Sequence, residues 1–573
     1  MEIKNKKSNK KKSFFFKDYT EAEITSDQTV SFIKISLNRI SFLFFIFFSL
    51  LLIFSVKIIY LSLLSDKVLI SENINRAFIK ERHDIVDKNG TIITRSIDIY
   101  DAGIRPNLIK DKKKILINLK IIFPKIDLKK IKKGLNNNKF FYVKKRLTQD
   151  EKNKLWMLGN KSLVFSKRQA RIYPQKNLFS HVLGQIDDNN TGISGIEKSF
   201  DKELKNKNFE NSSFYLTLDS NIQHIIREEL IKAQANFNAI GSGALLMNVN
   251  NGKILSLVSL PDYDLNKRST INEDIYTNKI TKGVYELGSV FKTFTLAAGL
   301  ENKAIRVDTV FKNLEHKIKC AGKSISEHDK LPKNLSAEQI LIRSSNIGAV
   351  RIAQLVGLNK FKDFLNSLAL FKTIDFDLEE IGTPLPFKWG KCKLATASFG
   401  HGITTTPLQL ARAYAILGNG GYDIRPTIIK NKNNLPNERK RIISSETSSS
   451  INAILRKVVS NTEGTANFAN VTGYDVGGKT GTALKVNNGI YTQEKLNTFV
   501  SLFPTKRPQY VLLVMLDEPK PAPDYIYEYA NGYKHKGEKR NTSGWNTVVV
   551  AGKIIEKIGP ILATNTLQAS KKF

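Results

Sequence analysis

The strongest feature of the hydrophobic pattern is residues 40 to 56, "ISFLFFIFFSLLLIFSV", an apolar run without a charge, which "IIYLSLL" extends past Lys57 to Leu64. One helix of that length crosses a bilayer. A cleaved signal peptide has a shorter apolar stretch and a small-x-small cleavage site, whereas "SDKVLISENINR" follows here. The pattern therefore predicts a retained anchor over 40–64. No later run approaches spanning length. The pattern instead breaks into units of ordinary globular size. "HDIVDKNGTIITRS" is two short β-prone runs around an Asn-Gly turn, and "KKILINLKIIFPKIDLKKIKKGL" alternates apolar and lysine positions as an amphipathic surface segment does.

Near residue 215 the texture changes. "FYLTLDSNIQHIIREELIKAQANF" gives a turn and then apolar residues at helical spacing, Ile222, Ile225, Ile226 and Leu230. "GALLMNVNNGKILSLVSL" reads as two strands joined through Asn250-Asn251-Gly252. Mostly helical sequence follows to about residue 420, and "YDVGGKTGTALKV", "NTFVSLFP" and "QYVLLVML" supply three late strands. Strands at both ends with helices between predict a mixed sheet packed by a helical region, an α+β domain. The expected organisation is a basic tail (1–39), the anchor (40–64), a spacer or docking domain (65–212), an α+β domain (213–565) and a short C-terminal tail (566–573).

Composition adds direction. A chain of 573 residues is too long for one core, and 41% hydrophobic with 25% charged residues is a folded composition. The tail carries Lys4, Lys6, Lys7, Lys10, Lys11, Lys12, Lys17, Lys34 and Arg39, which by the positive-inside rule keep it in the cytoplasm and export everything after Leu64. The net charge of +36 suggests nucleic acid or an anionic membrane surface. Export argues against nucleic acid, and neither zinc-ligand spacing nor an aromatic-basic RNA signature is present. A chain-wide compositional drift toward lysine, asparagine and isoleucine, or attraction to anionic lipid head groups, accounts for the excess. Cys320 and Cys392 lack metal-ligand spacing; in an oxidising compartment they form one disulfide if the fold brings them together, and otherwise they are buried structural thiols.

Three short stretches carry candidate chemistry. In "YELGSVFKTFTLAAGL" the helix after Gly288 is apolar around nearly its whole circumference, and Ser289, Lys292 and Thr293 share one face. A lysine in such surroundings is pushed toward the neutral amine, which can take a proton from a hydroxyl one turn away. Free N–H groups at the helix start can hold an oxyanion. In "IRSSNIGAV", Ser344 and Asn346 sit on a turn from which a hydroxyl and a carboxamide can face one cleft, although a plain Ser/Asn helix cap has the same composition. In "GGKTGTA", a regular strand puts Lys479 and Gly481 on one side and Thr480 and Thr482 on the other. Gly481 leaves room for a substrate along the strand, Lys479 can meet a carboxylate, and backbone N–H groups can pair with a peptide. Each stretch is commonplace alone. Their order and their contexts, helix start, helical-region turn and strand, are not.

A serine with its lysine, then Ser-x-Asn, then Lys-Thr-Gly, is the active-site set of penicillin-binding proteins and serine β-lactamases. From about residue 80 the chain resembles a class B, monofunctional penicillin-binding protein. "DKNG", "RIYPQKNLFSHVLGQIDDNNTGISGIEKSFDKEL" and "LTLDSNIQ" look like the non-catalytic pedestal (dimerisation-like) domain. "YELGSVFKTFTLAAGL", "SSNIGAV", "FGHGITTTPLQLARAYAILGNGG", "GGKTGTA" and "FPTKRPQYVLLVMLDEPK" look like the transpeptidase domain. "SSNIG" and "FGHG" resemble the division-specific branch more than the elongation branch. Arg82-His83 departs from the Arg-Gly common in the family.

The resemblance implies a peptidoglycan D,D-transpeptidase in which Lys292 deprotonates Ser289, and Ser289 attacks a stem peptide ending in D-Ala-D-Ala. Ser344, Asn346 and Lys479 assist proton transfer and positioning. Thr480, Gly481 and Thr482 bind substrate, and the N–H groups of Ser289 and Thr482 form the oxyanion hole. β-Lactams acylate the same serine, no metal or other cofactor is implied, and the implied partners are a membrane glycosyltransferase and other division proteins. A secreted β-lactamase would lack the anchor and spacer. A bifunctional enzyme needs a longer N-terminal interval, and a non-enzymatic division scaffold has no need of an intact Ser289, Lys292 and Lys479.

Overall fold

The computed structural model describes residues 32–65, 82–206, 213–267, 273–320, 323–430, 439–487 and 489–570. The basic tail up to residue 31, the segment 66–81 after the anchor and the last three residues lie outside that set. Two units are distinguished, residues 1–79 and 80–573. In the first, a single helix runs Phe32–Ser65, and its segment Arg39–Tyr60 is long and apolar enough to cross a membrane, about 33 Å at 1.5 Å per residue. The helix begins before residue 40 because "FIKISLNR" contains neither glycine nor proline, so Lys34 and Arg39 belong to the helix and not to a separate tail.

The second unit opens with the expected hairpin. Ile85–Val86 pairs antiparallel with Ile92–Ile104, and the Asp87 carboxylate accepts from the N–H groups of Asn89 at 2.9 Å and Thr91 at 2.8 Å across the turn. Ile92–Ile104 outgrows the hairpin, pairing also with Phe141–Leu147 and Leu163–Ile172. The lysine-rich stretch forms two helices, Lys112–Ile122 and Leu128–Asn136, capped by Asp111 and Asp127. Their inward residues Ile115, Leu119, Ile131 and Leu135 build a small core with Ala102, Ile104 and Leu155, distinct from the main one. The expected boundary at 212/213 falls just before a strand of the N-terminal sheet, since Phe214–Tyr215 lies parallel to Ile85–Val86. Ile85, Ile93, Phe179 and Ile196 also join the main core, so the junction is continuous packing.

A buried charge cluster ties the N-terminal part of this unit together. Arg82 and Glu197 are completely buried; Arg82 Nε reaches Glu197 Oε2 at 2.5 Å, Arg171 Nε reaches Glu197 Oε1 at 2.8 Å, and Arg82 Nη1 reaches Asp201 at 2.6 Å. His83, the departure from the family pattern, places Nε2 2.7 Å from the Asn206 carbonyl and takes no part in the site described below. Removing Glu197 would leave the buried Arg171 guanidinium without its carboxylate and Arg82 with Asp201 alone. Glu197→Ala is therefore expected to cost about 3–5 kcal/mol, seen as a fall in the thermal unfolding midpoint. Lys154→Ala, which breaks an exposed pair with Asp150, is expected to change stability by less than about 0.5 kcal/mol.

The main sheet has five antiparallel strands in the order 477–487, 490–503, 510–517, 241–248, 254–260. All five were expected; Ile490–Phe503 is longer than "NTFVSLFP" because the hairpin with Gly477–Asn487 draws in "IYTQEKL". Helix Ser220–Phe237, capped by the Asp219 carboxylate, buries Ile222, Ile226 and Leu230 and leaves Ile225 half-buried. The last helix, Thr547–Ser570, continues past the expected tail boundary at 566. The Lys-Thr-Gly strand, Gly477–Asn487, is an edge strand, which keeps one row of backbone groups free of sheet pairing.

Candidate active site

Three segments meet beside that edge. The first is a 3₁₀ turn, Gly288–Phe291, running into the helix Lys292–Glu301. Every residue from Lys292 to Gly299 is buried, as the all-round apolar pattern requires, and Lys292 is 2% exposed. Ser289 sits half-buried at the mouth of the turn. Tyr414, on the buried helix Pro407–Gly418, supports the turn from within: its hydroxyl donates to the Val290 carbonyl at 2.8 Å and lies 2.8 Å from Thr293 Oγ1.

The second segment is the link between helices Ala337–Ile342 and Asn346–Val356. Ser344 takes a left-handed conformation there, with φ 59°. Ser345, and not Ser344, is the helix cap, accepting from the Gly348 N–H at 2.9 Å. Both conformations turn the Ser344 oxygens toward the lysines. Lys292 Nζ donates to the Ser344 carbonyl and, at 3.1 Å, to Ser344 Oγ. From the strand, Lys479 Nζ donates to the same Oγ at 2.9 Å and to the Thr480 carbonyl and Oγ1, each at 3.2 Å. Thr480 Oγ1 lies 2.8 Å from Thr465 Oγ1. A serine hydroxyl accepts two hydrogen bonds and donates one, so Ser344 keeps its own proton for a third group. Among the described residues Ser289 Oγ has no hydrogen bond to Lys292; the amine is engaged with Ser344, one helical turn from the Ser289 position.

Burial lowers the proton affinity of Lys292 to about 7, against the smaller opposing pull of Glu327. Burial, and then the charge of Lys292, push Lys479 well below the ordinary lysine range. Two ammonium groups on one oxygen in a dry site repel each other. The arrangement favours one neutral amine beside a hydroxyl relay, which is what proton abstraction from a serine needs.

Asn346 is nearly buried, and its Nδ2 donates to the Ser326 carbonyl at 2.8 Å, so its amide is partly committed to the hairpin beside it. Its Oδ1 is buried and without a partner among the described residues. Two strand expectations need correction. Lys479 is fully buried and turns into the lysine–serine cluster rather than outward toward a carboxylate. Nor does Gly481 clear space for substrate on its Cα side: a Cβ there would lie 2.3 Å from the Leu287 carbonyl, so the chain itself fills that room. Thr482 Oγ1 accepts from the Ser543 N–H at 3.1 Å.

Two further features were not foreseen, and a third settles an alternative the sequence left open. Glu327 lies buried behind the Ser344 turn. Gly400 packs on Gly288 so closely that a Cβ on it would sit 2.1 Å from the Gly288 carbonyl oxygen. Cys320 and Cys392 form a disulfide, with Cα atoms 5.6 Å apart, joining the strand Lys317–Cys320 to the helix Lys391–Ala397. Of the two alternatives, one disulfide or two buried thiols, the fold realises the first.

Comparison with known proteins identifies the family. The family described as penicillin binding protein transpeptidase domain matches residues 242–538, and the penicillin-binding protein dimerisation domain matches residues 80–227. The chain belongs to the class B penicillin-binding proteins, the serine-type D,D-transpeptidases that act on peptidoglycan. It is 33% identical over 492 residues to the probable peptidoglycan D,D-transpeptidase FtsI of Caulobacter vibrioides, covering 84% of this chain and 81% of that protein. Its identity to stage V sporulation protein D of Bacillus subtilis is 28%, over 78% of this chain and 75% of the relative. Penicillin-binding protein 2X from Streptococcus thermophilus shares the fold with a TM-score of 0.69 at 20% identity, over 84% of this chain and 80% of that one.

Proposed function

We propose that this chain cross-links peptidoglycan stem peptides during septal wall synthesis, with Ser289 as nucleophile and Lys292 as its base. The observation that carries the reading is the convergence of Lys292 and Lys479 on Ser344 Oγ in a buried site. Lys292 takes the Ser289 proton, Ser289 attacks the carbonyl between the terminal D-Ala residues, and the Ser344–Lys479 pair returns a proton to the leaving D-Ala. Asn346 positions the peptide. Thr480, the backbone of Gly481 and Thr482 line the edge strand on which it lies, with the N–H groups of Ser289 and Thr482 around the oxyanion. An amine from a second stem peptide then resolves the acyl-enzyme. The helix Phe32–Ser65 anchors the protein with its N-terminus in the cytoplasm and the catalytic domain in the periplasm, where a membrane glycosyltransferase and other division proteins are its partners. The septal assignment rests on "SSNIG", "FGHG" and the likeness to a relative named FtsI.

Peptide mapping by mass spectrometry after treatment of the full-length protein with penicillin is expected to find the adduct on Ser289, and stem peptides ending in D-Ala-D-Ala are expected to be joined into dimers. An adduct on another residue, or none, would remove the proposed nucleophile. A fluorescent fusion is expected at mid-cell; a dispersed lateral pattern would favour an elongation role.

A further inference from the structure

We propose that Glu327 is the positioning residue of the Ser344 turn: its buried carboxylate draws in the start of the helix Asn346–Val356 and so holds Ser344 where both lysines reach it. This rests on the reading of Ser344 as part of the transpeptidase site. Glu327 follows directly on the strand Lys323–Ser326, which pairs with Lys317–Cys320, outside all three motifs. It is 9% exposed and accepts three hydrogen bonds from consecutive residues: from Ser345 Oγ at 2.6 Å, from the Asn346 N–H at 2.7 Å and from the Ile347 N–H at 3.0 Å.

The arrangement is more than a cap. Ser345 Oγ already receives the Gly348 N–H, so Glu327 lies one step beyond the cap and closes the remaining donors. A carboxylate at this end also complements the helix dipole. Residues 345 to 347 thus have little freedom, and the left-handed Ser344 directly before them is fixed in turn. A second effect follows from charge. Glu327 pulls the proton affinity of Lys292 upward, against burial, so the same carboxylate that sets the geometry also tunes the base. Among the described residues, the ionisable groups facing Lys292 are Glu327, Lys479 and, further out, the exposed His328.

The test uses full-length protein in detergent with Glu327→Gln, Glu327→Asp and Glu327→Ala, on parent and His328→Gln backgrounds so that the imidazole does not shape the pH profile. Three quantities are read: the rate constant for acylation by a fluorescent penicillin against pH, amide hydrogen exchange of the segment 343–349, and the unfolding midpoint. Glutamine keeps the shape but turns a donor toward the Asn346 N–H. It is expected to slow acylation by about 10- to 100-fold, the equivalent of one lost charge-assisted hydrogen bond. It is also expected to move the acid limb of the profile to lower pH, because Lys292 loses a stabilising negative charge, and to speed exchange at Asn346 and Ile347. Aspartate keeps the charge, so its acid limb stays near the parental position although its reach is shorter.

Parental rate, limb and exchange in Glu327→Gln would overturn the proposal. So would a rate loss accompanied only by a general fall in unfolding midpoint, with an unshifted limb and exchange raised throughout the chain. If the parent is not acylated at all, the transpeptidase reading fails, and local exchange at 343–349 still decides whether Glu327 holds the turn.

Discussion

Lys292→Met is expected to lower the rate constant of acylation by about 10²–10⁴-fold, the usual contribution of a positioned general base, and at the same time to raise the protein's thermal stability. The two effects have one origin. The lysine is 2% exposed, and burial brings its proton affinity down to about 7 from the ordinary 10.5. In the proposed mechanism only the neutral amine takes the Ser289 proton, so acylation by the parent should climb with pH through about 7 and level off above it. The stability effect has the opposite cost. Between pH 7 and 10.5 the unfolded chain binds a proton that the folded chain does not, so parental stability rises with pH across that window. Below pH 7 the burden is complete, about 4–5 kcal/mol at 1.36 kcal/mol per pKa unit. The methionine variant should therefore gain most over the parent below pH 7 and lose its advantage as pH approaches 10.5. Acylation rates across pH, paired with unfolding midpoints, check both halves. A methionine variant no more stable than the parent at pH 6 would mean that the lysine is not buried as described.

The second large effect is expected at a residue without a side chain. Gly400 has φ +79°, and a Cβ there would sit 2.1 Å from the carbonyl oxygen of Gly288, while a Cβ on Gly288, itself at φ +64°, would lie 2.6 Å from the carbonyl oxygen of Thr482. Three backbones are thus stacked without side chains between them: the "FGHG" loop, the Ser289 turn and the Lys-Thr-Gly strand. None of the colliding atoms is the end of a flexible side chain, so Gly400→Ala can be accommodated only by moving backbone. A displacement of about 1 Å at the Ser289 turn is enough to cost roughly 10²-fold in rate. Gly400→Ala should lose at least that much acylation and several degrees of unfolding midpoint. Gly390→Ala, ten residues earlier, has open space and an extended backbone at φ −177°, and is expected to cost no more than about 1 kcal/mol. Equal behaviour of the two variants would refute the stacking argument.

These cases show what the sequence could and could not convey. The order of Ser289, Lys292, Ser344, Asn346 and Lys479 was legible because reactive side chains stand out at helix starts, turns and strands, and the fold does bring Lys292, Ser344 and Lys479 together. The five sheet strands were legible from apolar runs bounded by turns. Glu327 was not, because "SISEHDK" has the composition of a wet turn, and its burial comes from long-range contacts such as the start of the helix Asn346–Val356. Gly481 was legible as a necessary glycine but for the wrong neighbour; only the fold shows that Leu287 occupies the vacated side. The boundary near residue 212 was drawn where the texture changes, yet strand Phe214–Tyr215 pairs backward into the preceding sheet. Local pattern reports what a segment prefers, and long-range contact decides what it meets.

The Cys320–Cys392 bond has a consequence for when the site is finished. One half-cystine ends the strand that begins the hairpin before Glu327, and the other opens the helix that leads to Gly400. Such bonds persist only where thiols are oxidised. A copy held where thiols stay reduced therefore lacks the covalent tie between these two segments, and oxidation of the pair completes it.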